Sequence, residues 1–390
     1  MSKLSQKVGV LAVLESTPGT DPGSGYSGVL INKDGFDIKP TGEKIERNFL
    51  TTSLSPQGHV IGAKTYELTF QAELKGGGLS GSDVVAPELD VMLQACAMKK
   101  EDLLVLSLSS VSGNFEVGEE IIDTTASSAS LGYLADVVTS GSSATLYIHA
   151  YTGQAVTSGD TITGATSSAS GTAGSSQEGL CYHPVSSEAD MKTATIHCYR
   201  DGIRHVITYC MGTFDLNMQV GSYPIASFSM SGVYSDPTDE SDPSVSYSDI
   251  TPPLVLNAGL QIGDVDMSLT CATALSVGLK NTVSPRKCIN SADGVAGFRI
   301  TSRAPAGSID PEATDIASFN PWEKWKSAGT EKIYCNIGSQ AGNTIRPLVP
   351  YALYDSVSYG NRDGLLTYEL PFICKGGPSG GDDEFWLFFT

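Results

Sequence analysis

The side chains of this sequence that could do chemistry do not form a known reactive pattern. Residues 377–381, "GPSGG", match the G-x-S-x-G string of serine hydrolases, in which the serine lies on a turn between a strand and a helix. The following "GDDEFWLFFT" is instead typical of a terminal strand, and none of the five histidines is placed by sequence as a partner of Ser379. We therefore expect no esterase activity.

Residues that could bind a metal ion are equally scattered. The histidines include no H-x-x-x-H pair, and no cysteine lies at the spacing of a zinc site. His197 and Cys198 are adjacent, so in a strand they point to opposite faces. The acidic residues of 236–242 lack the glycine and final glutamate of an EF-hand and are typical of a solvated linker. The sequence predicts no metal, no cofactor and no enzyme.

A regular polar face is the most informative local pattern. Apolar and polar side chains alternate over 213–220 and, after the break "GSYP", again over 227–231. Alternation with a period of two predicts an antiparallel pair with one apolar and one polar side. The stretch 64–77, "KTYELTFQAELKGG", alternates in the same way. The apolar set of the pair is Phe214, Leu216, Met218, Val220, Phe228 and Met230.

Charge and composition narrow the class of protein. Lys plus Arg is 24 and Asp plus Glu is 43, a net charge of −19, which argues against a surface that holds nucleic-acid phosphates or anionic membrane. The 8 dispersed cysteines are too few for a disulfide scaffold, so we expect reduced thiols. The early run "VGVLAVL" is followed by Glu15 and lacks a cleavage site, so we predict a first strand and no signal peptide.

Glycine, serine and threonine are abundant and helical periods are few, which predicts an all-β protein. Only 85–100 and 320–329 are expected to be helical, and each is opened by a proline. For the aromatic end "EFWLFFT" two interpretations stay open, burial in the core and exposure as a partner surface.

Residues 103–178 differ from the rest of the chain. They contain no Lys or Arg, and a short repeat begins at Gly118 ("GEEIIDTTASSAS") and at Gly159 ("GDTITGATSSAS"). We predict that this stretch is a small inserted β module.

A larger repeat spans the remainder. "IRHVITYCMG" from Ile203 is echoed by "IRPLVPYALY" from Ile345, and each follows a helix and precedes a second alternating pair. The same order of elements indicates an internal duplication. The predicted domains are 1–102 with 179–250, the insertion 103–178, and 251–390.

With these pieces together, the chain resembles the major tail tube proteins of long-tailed, non-contractile bacteriophages. The resemblance covers nearly the whole chain except 103–178, and it depends on the order of several stretches because none alone is a specific motif. The stretches are "ESTPGTDPG", "FDIKPTGEKIER", "YELTFQAELKG", the hairpin at 202–234, "ITSRAPAGSIDPEA", "DSVSYGNRDG" and "GDDEFWLFF".

The resemblance implies two tandem tail-tube β-sandwich or barrel domains, each with a flanking helix. In that family the inner sheets join around a ring, and stacked rings form the tube through which the genome leaves the capsid. It therefore implies a structural virion protein that assembles in the host bacterial cytoplasm. Its expected partners are copies of itself, a tape measure protein, a tail terminator and distal tail proteins. Double-stranded DNA would pass without specific binding, and no membrane is involved.

Family members mostly have one such domain and form hexameric rings, so the repeat predicts trimeric rings with pseudo-sixfold symmetry; hexameric rings are the alternative. The polar faces are candidates for the lumen. In the second copy Arg299 and Arg303 align with Glu67 and Gln71, so either they pair with carboxylates across the domain interface or that strand does not face the lumen. The lumen candidates are Thr65, Glu67, Thr69, Gln71, Glu73, Asp215, Asn217, Gln219, Ser227 and Ser229.

Two other classes of protein compete with this interpretation. A β-sandwich adhesin or fibre-like binding protein would suit the Ser/Thr-rich insertion, but it predicts a secretion signal and clustered exposed aromatic residues. A glycosidase needs a pair of carboxylates on its β scaffold, and the sequence places no such pair.

Overall fold

The computed structural model describes residues 3–53, 55–126, 128–263, 265–266, 271–378 and 380–390, so Ser379 of "GPSGG" lies outside the described residues. Antiparallel strands dominate these ranges, which confirms the all-β prediction. Neither helix within them is long and apolar enough to cross a membrane.

The strands and helices follow one another in three stretches of chain. The first contains β1 (Val8–Leu14), β2 (Ser27–Val29), β3 (Asp37–Glu46), β4 (His59–Glu73), β5 (Leu79–Ser80), β6 (Asp83–Val84) and α1 (Asp90–Ala95). The second contains β7 (Met98–Ser112), β8 (Glu120–Asp123), β9 (Ala129–Ser140), β10 (Ser143–His149), β11 (Thr161–Gly164), β12 (Ser170–Pro184), β13 (Ala194–Arg200), β14 (Ile203–Gln219), β15 (Ile225–Val233) and β16 (Thr238–Asp239). The third contains β17 (Gln261–Ile262), β18 (Val265–Asp266), β19 (Ala274–Gly278), β20 (Thr282–Lys287), β21 (Val295–Ser302), β22 (Ala306–Ile309), α2 (Pro321–Ser327), β23 (Thr330–Tyr334), β24 (Ile345–Tyr354), β25 (Ser358–Arg362), β26 (Leu365–Cys374) and β27 (Trp386–Phe389).

One continuous sheet joins the two halves of the chain. Its strands lie in the order β3–β4–β15–β14–β19–β22–β26–β25, every neighbour being antiparallel. We call it the eight-stranded sheet. The strands β3, β4, β15 and β14 of the first half pair in the same order as β19, β22, β26 and β25 of the second. The sheet therefore contains two similar groups of four strands, side by side.

The first helix is much shorter than the sequence suggested. Of 85–100 only α1 is helical, and Met98 already begins β7. The helix stops early because Ala97 has a φ of 59°, in the left-handed region that ends helices. In α2 the side chain of Asn320 accepts the Glu323 amide at 3.1 Å, and a left-handed Ala328 ends the helix before Gly329. This second helix agrees with the predicted 320–329.

Several local expectations have a clear outcome. "VGVLAVL" forms β1, paired with β13 and β2, as predicted for a first strand. Val220 lies just beyond β14 and is half exposed, so its place in the apolar set was wrong; a turn begins there and the alternation ends. The aromatic end is buried: β27 pairs with β12 and β24, and its four side chains are covered, two in each of two apolar clusters. All eight cysteines are free of disulfides.

Residues 103–178 have an apolar core of their own. It includes Leu106, Leu146 and Ile148, whereas a larger cluster, which runs from Val10 to Phe389, draws on both halves of the rest of the chain. The two sequence repeats form β8 and β11, which pair with each other, so the repeated segments lie side by side. How the chain divides into domains stays a prediction.

A buried ion pair fastens the inserted stretch to the second half. Arg346 of β24 contacts Asp136 of β9, and both side chains are almost completely buried. The Arg346 guanidinium lies between the rings of Tyr147 and Tyr334, 4.3 and 4.0 Å from their centroids. Lys332 also approaches Asp136, at 3.0 Å. The guanidinium also donates to the side-chain oxygen of Asn336 at 3.2 Å, so the buried charges are compensated by one another, by this amide and by the two rings.

Removing one member of this pair should destabilise the chain strongly. Asp136→Ala leaves Arg346 buried without its carboxylate, and we expect the free energy of unfolding to fall by about 3–5 kcal/mol. Chemical denaturation of the unassembled chain measures it. The matched control is Glu188→Ala, which removes an exposed ion pair with Arg299 and should change stability little. Equal losses in the two variants would contradict the role given to burial.

Candidate functional site

All ten polar residues singled out by the sequence lie on one side of the eight-stranded sheet. Five are on β4, three on β14 and two on β15, and none is buried. Cross-strand pairing sets them in rows: Gln71 is opposite Ser227, which is opposite Asp215. The other side of the same strands is the core, with Tyr66, Phe70 and similar residues fully covered. We call the solvent side the polar face.

The polar face continues across the second half, where the sequence had not identified it. Asn217 is opposite Ser276 of β19, and Ser276 is opposite Ser308 of β22, with the two serine hydroxyls 2.8 Å apart. The signal for these residues was weak because β19 and β22 are only five and four residues long. A period of two is hard to recognise over so short a stretch.

The alignment of Arg299 and Arg303 with Glu67 and Gln71 was wrong. Arg299 lies on β21, which pairs only with β20 among the described strands. Pairing instead sets Ser308 of β22 in the position that Glu67 has on β4. Both arginines meet carboxylates: Arg299 contacts Glu188 at 2.7 Å, and Arg303 contacts Asp382 and Glu384. Arg299 lies on a strand outside the eight-stranded sheet and Arg303 lies between β21 and β22, so neither is on a strand of the polar face.

Basic side chains on the polar face are held by carboxylates. Lys280 lies 2.5 Å from Asp215, just beyond the end of β19. Arg362 at the end of β25 contacts Asp310 at 3.2 Å and Glu312 at 2.9 Å. A guanidinium or ammonium group already paired in this way has less charge to offer a phosphate. Hydroxyl, amide and carboxylate groups set the character of the surface.

The two groups of four strands meet at β14 and β19. Asp215, Asn217 and Gln219 lie opposite Gly278, Ser276 and Ala274 in a regular antiparallel ladder. The ladder extends beyond both strands, since the Leu279 amide donates to Phe214 and the Val220 amide donates to Thr273. Asn281 then donates its side-chain amide to the carbonyls of Cys96 and Gly212. This junction is made entirely within one chain.

The outer strands β3 and β25 each have one edge without a ladder partner among the described residues. The Leu74 amide donates to the carbonyl of Pro224, which comes just before β15. The backbone amide and carbonyl groups of Tyr66 and the other even-numbered residues of β4 therefore also point toward β15. Pro40 is opposite Tyr66, so its nitrogen points away from β4 to the open edge. A proline there withholds one amide donor, a common protection of edge strands.

Two long hairpins extend from the sheet and differ in their surroundings. The second arm, residues 282–302, packs on the first half of the chain, where Val295 and Phe298 contact Met211. Lys64 and Asp293 add an ion pair at 3.1 Å. The first arm, residues 42–61, is the corresponding extension of β3 and β4, but the apolar side chains that the structure describes there face solvent. They are Ile45, Phe49, Leu50, Val60 and Ile61.

An exposed apolar hairpin and two open edges are features of a chain that binds others of its kind. On the polar face the described residues offer hydrogen-bonding groups but no nucleophile held by a base. A protein-family model described as "Phage tail tube protein" matches residues 5–374. No curated protein matches the chain significantly. Because the match spans most of the sequence, the chain belongs to the phage tail tube protein family, a structural component of the virion tail.

Proposed function

We propose that this member of the phage tail tube family closes into rings of three chains, whose polar faces together line a hollow conduit for the genome. The observation that carries the proposal is the junction of β14 with β19, which joins two similar four-stranded groups within one chain. If the same contact recurs between chains, β25 of one chain meets β3 of the next. The ring then has no open sheet edge.

The register of that contact follows from the internal one. Phe214 packs on Phe228 as Tyr359 packs on Tyr368, so β25 takes the place of the end of β14. Ile38 on β3 is opposite Leu68, and Leu275 on β19 is opposite Ile309; all four side chains are buried, so Leu275 has the position in the second group that Ile38 has in the first. Carrying over the pair Asn217–Ser276 therefore sets Arg362 opposite Lys39 of the next chain. Each of the two keeps its own carboxylate, Lys39 having Asp37 at 3.7 Å.

The dimensions suit a DNA duplex. Three chains supply 24 strands, and at a spacing of ~4.8 Å with a tilt of ~40° these close into a backbone circle of ~48 Å. Side chains narrow the opening to roughly 38 Å, which admits a hydrated duplex. The first arm supports the same arrangement. In a ring it would lie on the second half of the neighbour, as the second arm lies on the first half within the chain.

The charge of the polar face suits the passage of DNA better than the binding of DNA. Basic contacts to phosphate would hold DNA and slow it, whereas paired cations and hydroxyl groups do not. The ten candidates from Thr65 to Ser229 would then face the lumen.

The proposal includes the tape measure, tail terminator and distal tail proteins as partners, assembly in the bacterial cytoplasm, and a long non-contractile tail. It also includes the division into two tail-tube domains and an outer module at 103–178.

Paired cysteines test the ring contact and its register. In a background with Cys271 and Cys288 changed to serine, Lys39→Cys with Arg362→Cys should give disulfide-linked closed trimers when rings are gently oxidised. Cys288 must be removed because its backbone hydrogen bond from Asn290 lowers the pKa of the thiol and makes it reactive. Non-reducing electrophoresis and mass photometry count the chains.

The register control is Lys39→Cys with Ser358→Cys. Ser358 is on the same face of β25 but about 13 Å further along the strand, too far for a disulfide. Closed products of six chains would show that the ring is a hexamer and not a trimer. Cross-linking of the control pair, or of neither pair, would overturn the edge contact itself.

New positive charge on the polar face should make the tube retain DNA. Tubes of the double variant Glu67→Lys with Asn217→Lys should bind a short labelled duplex, with an affinity that falls steeply as salt rises. Fluorescence anisotropy of tubes with open ends measures this. The control with the same change of charge is Glu178→Lys with Gln177→Lys, at exposed positions of the inserted stretch. Equal retention by both variants would count against the polar face as the lumen.

A further inference from the structure

Three side chains with metal-binding atoms meet where the inserted stretch joins the rest of the chain. They are Glu101 on β7, His149 at the end of β10 and His183 on β12. Their potential ligand atoms all lie within 4.8 Å of one another. Oε2 of Glu101 is 2.7 Å from Nδ1 of His149 and 3.6 Å from Nε2 of His183. Ligands of one tetrahedral zinc ion, each ~2.0–2.1 Å from the metal, stand at similar separations.

The hydrogen bonds of His183 leave one ring nitrogen ready to bind. Its Nδ1 lies 3.1 Å from the carbonyl oxygens of Pro184 and Asp382, and carbonyls only accept, so Nδ1 carries the proton. The neutral ring then has a lone pair on Nε2. This atom is buried, and the described part of the chain gives it no hydrogen-bond partner. A histidine held by a carbonyl in this way is the usual arrangement behind a metal ligand.

The rings are fixed and yet reachable from solvent. Trp386 stacks on His183 at a centroid distance of 4.6 Å and lies against His149 at 4.9 Å. Both histidines line a cavity of about 260 Å³ that also includes Tyr351 and Asp382. An ion could therefore enter, and a water molecule would have room to complete its coordination.

The Glu101 carboxylate lies between the two histidines and a lysine. Its Oε2 is the oxygen that faces both imidazole rings. Lys99 contacts the other carboxylate oxygen, Oε1, at 2.8 Å. Its charge opposes a cation at this place. However, the Lys99 side chain is two-fifths exposed and can turn toward water.

We propose that Glu101, His149 and His183 bind one divalent transition-metal ion of the zinc class. Two imidazole nitrogens and one carboxylate oxygen suit zinc, with water as the fourth ligand. The ion would link His149, within 103–178, to Glu101 and His183, which lie just outside that stretch, and the Asp382 carbonyl orients His183. It would thus fasten the inserted stretch to the strands from which it extends, independently of whether the chain forms trimers.

The test uses tag-free full-length protein, dialysed against a chelator and then titrated with Zn²⁺ by calorimetry. We expect one ion per chain and a higher unfolding temperature with zinc. Co²⁺ as a probe should give the visible absorption of a four- or five-coordinate nitrogen–oxygen site. His183→Gln should weaken zinc binding at least about tenfold. Lys99→Met should strengthen it, because a competing positive charge is removed.

Two further variants keep the test decisive if His183→Gln folds poorly. Glu101→Gln retains the shape of the side chain and removes its charge, and it should weaken binding at least about tenfold as well. His59→Gln, at an exposed position far along β4, removes a histidine outside the cluster and should bind as the unaltered chain does. The proposal is overturned if zinc does not bind, or if Glu101→Gln binds it as tightly as His59→Gln.

Discussion

The hydrogen-bonding demand of a sheet edge is the constraint on which the rest of this structure depends. Peptide groups along an edge strand need partners, and an open edge invites other strands. Within the chain the demand is met at β14 and β19, where one four-stranded group completes the next. Among the described residues no strand meets it at β3 and β25, the two ends of the eight-stranded sheet. Closure into the proposed ring would pair both ends through the kind of contact that the chain already makes, apart from the amide that Pro40 lacks.

The same constraint explains why the two halves differ where they do. The second arm covers Met211 and Tyr209, and Gly297 is required there because a side chain would collide with the Tyr209 ring. The first arm meets the second through an ion pair of Glu43 with Lys287, while its described apolar side chains, including those of Ile45 and Leu50, are exposed. Exposed apolar side chains of this kind are typical of a surface that another protein covers, and the proposed ring would supply a second copy.

The sequence predicted long alternating strands well and short or interrupted ones poorly. Residues 64–73 and 213–219 alternate over enough positions to define a face, and the structure places the ten polar residues on one side of a sheet; that they face the lumen stays a prediction. The strands β19 and β22 are too short to show such an alternation. The sequence alignment therefore matched β4 with the stretch around Arg299, which lies on β21. A strand that leaves its sheet as an arm keeps the alternation of a sheet strand, and periodicity cannot distinguish the two.

Contacts between distant parts of the chain could not be predicted from the sequence, for a different reason. Glu101, His149 and His183 share no spacing, because a β-sheet brings together residues of strands that are far apart along the chain. The pair Asp136–Arg346 is likewise invisible in sequence. Both lie where the inserted stretch meets the second half. A stretch attached only by β7 and β12 could pivot on its connections, and buried charge at this place fixes its position because moving it would leave Arg346 unpaired.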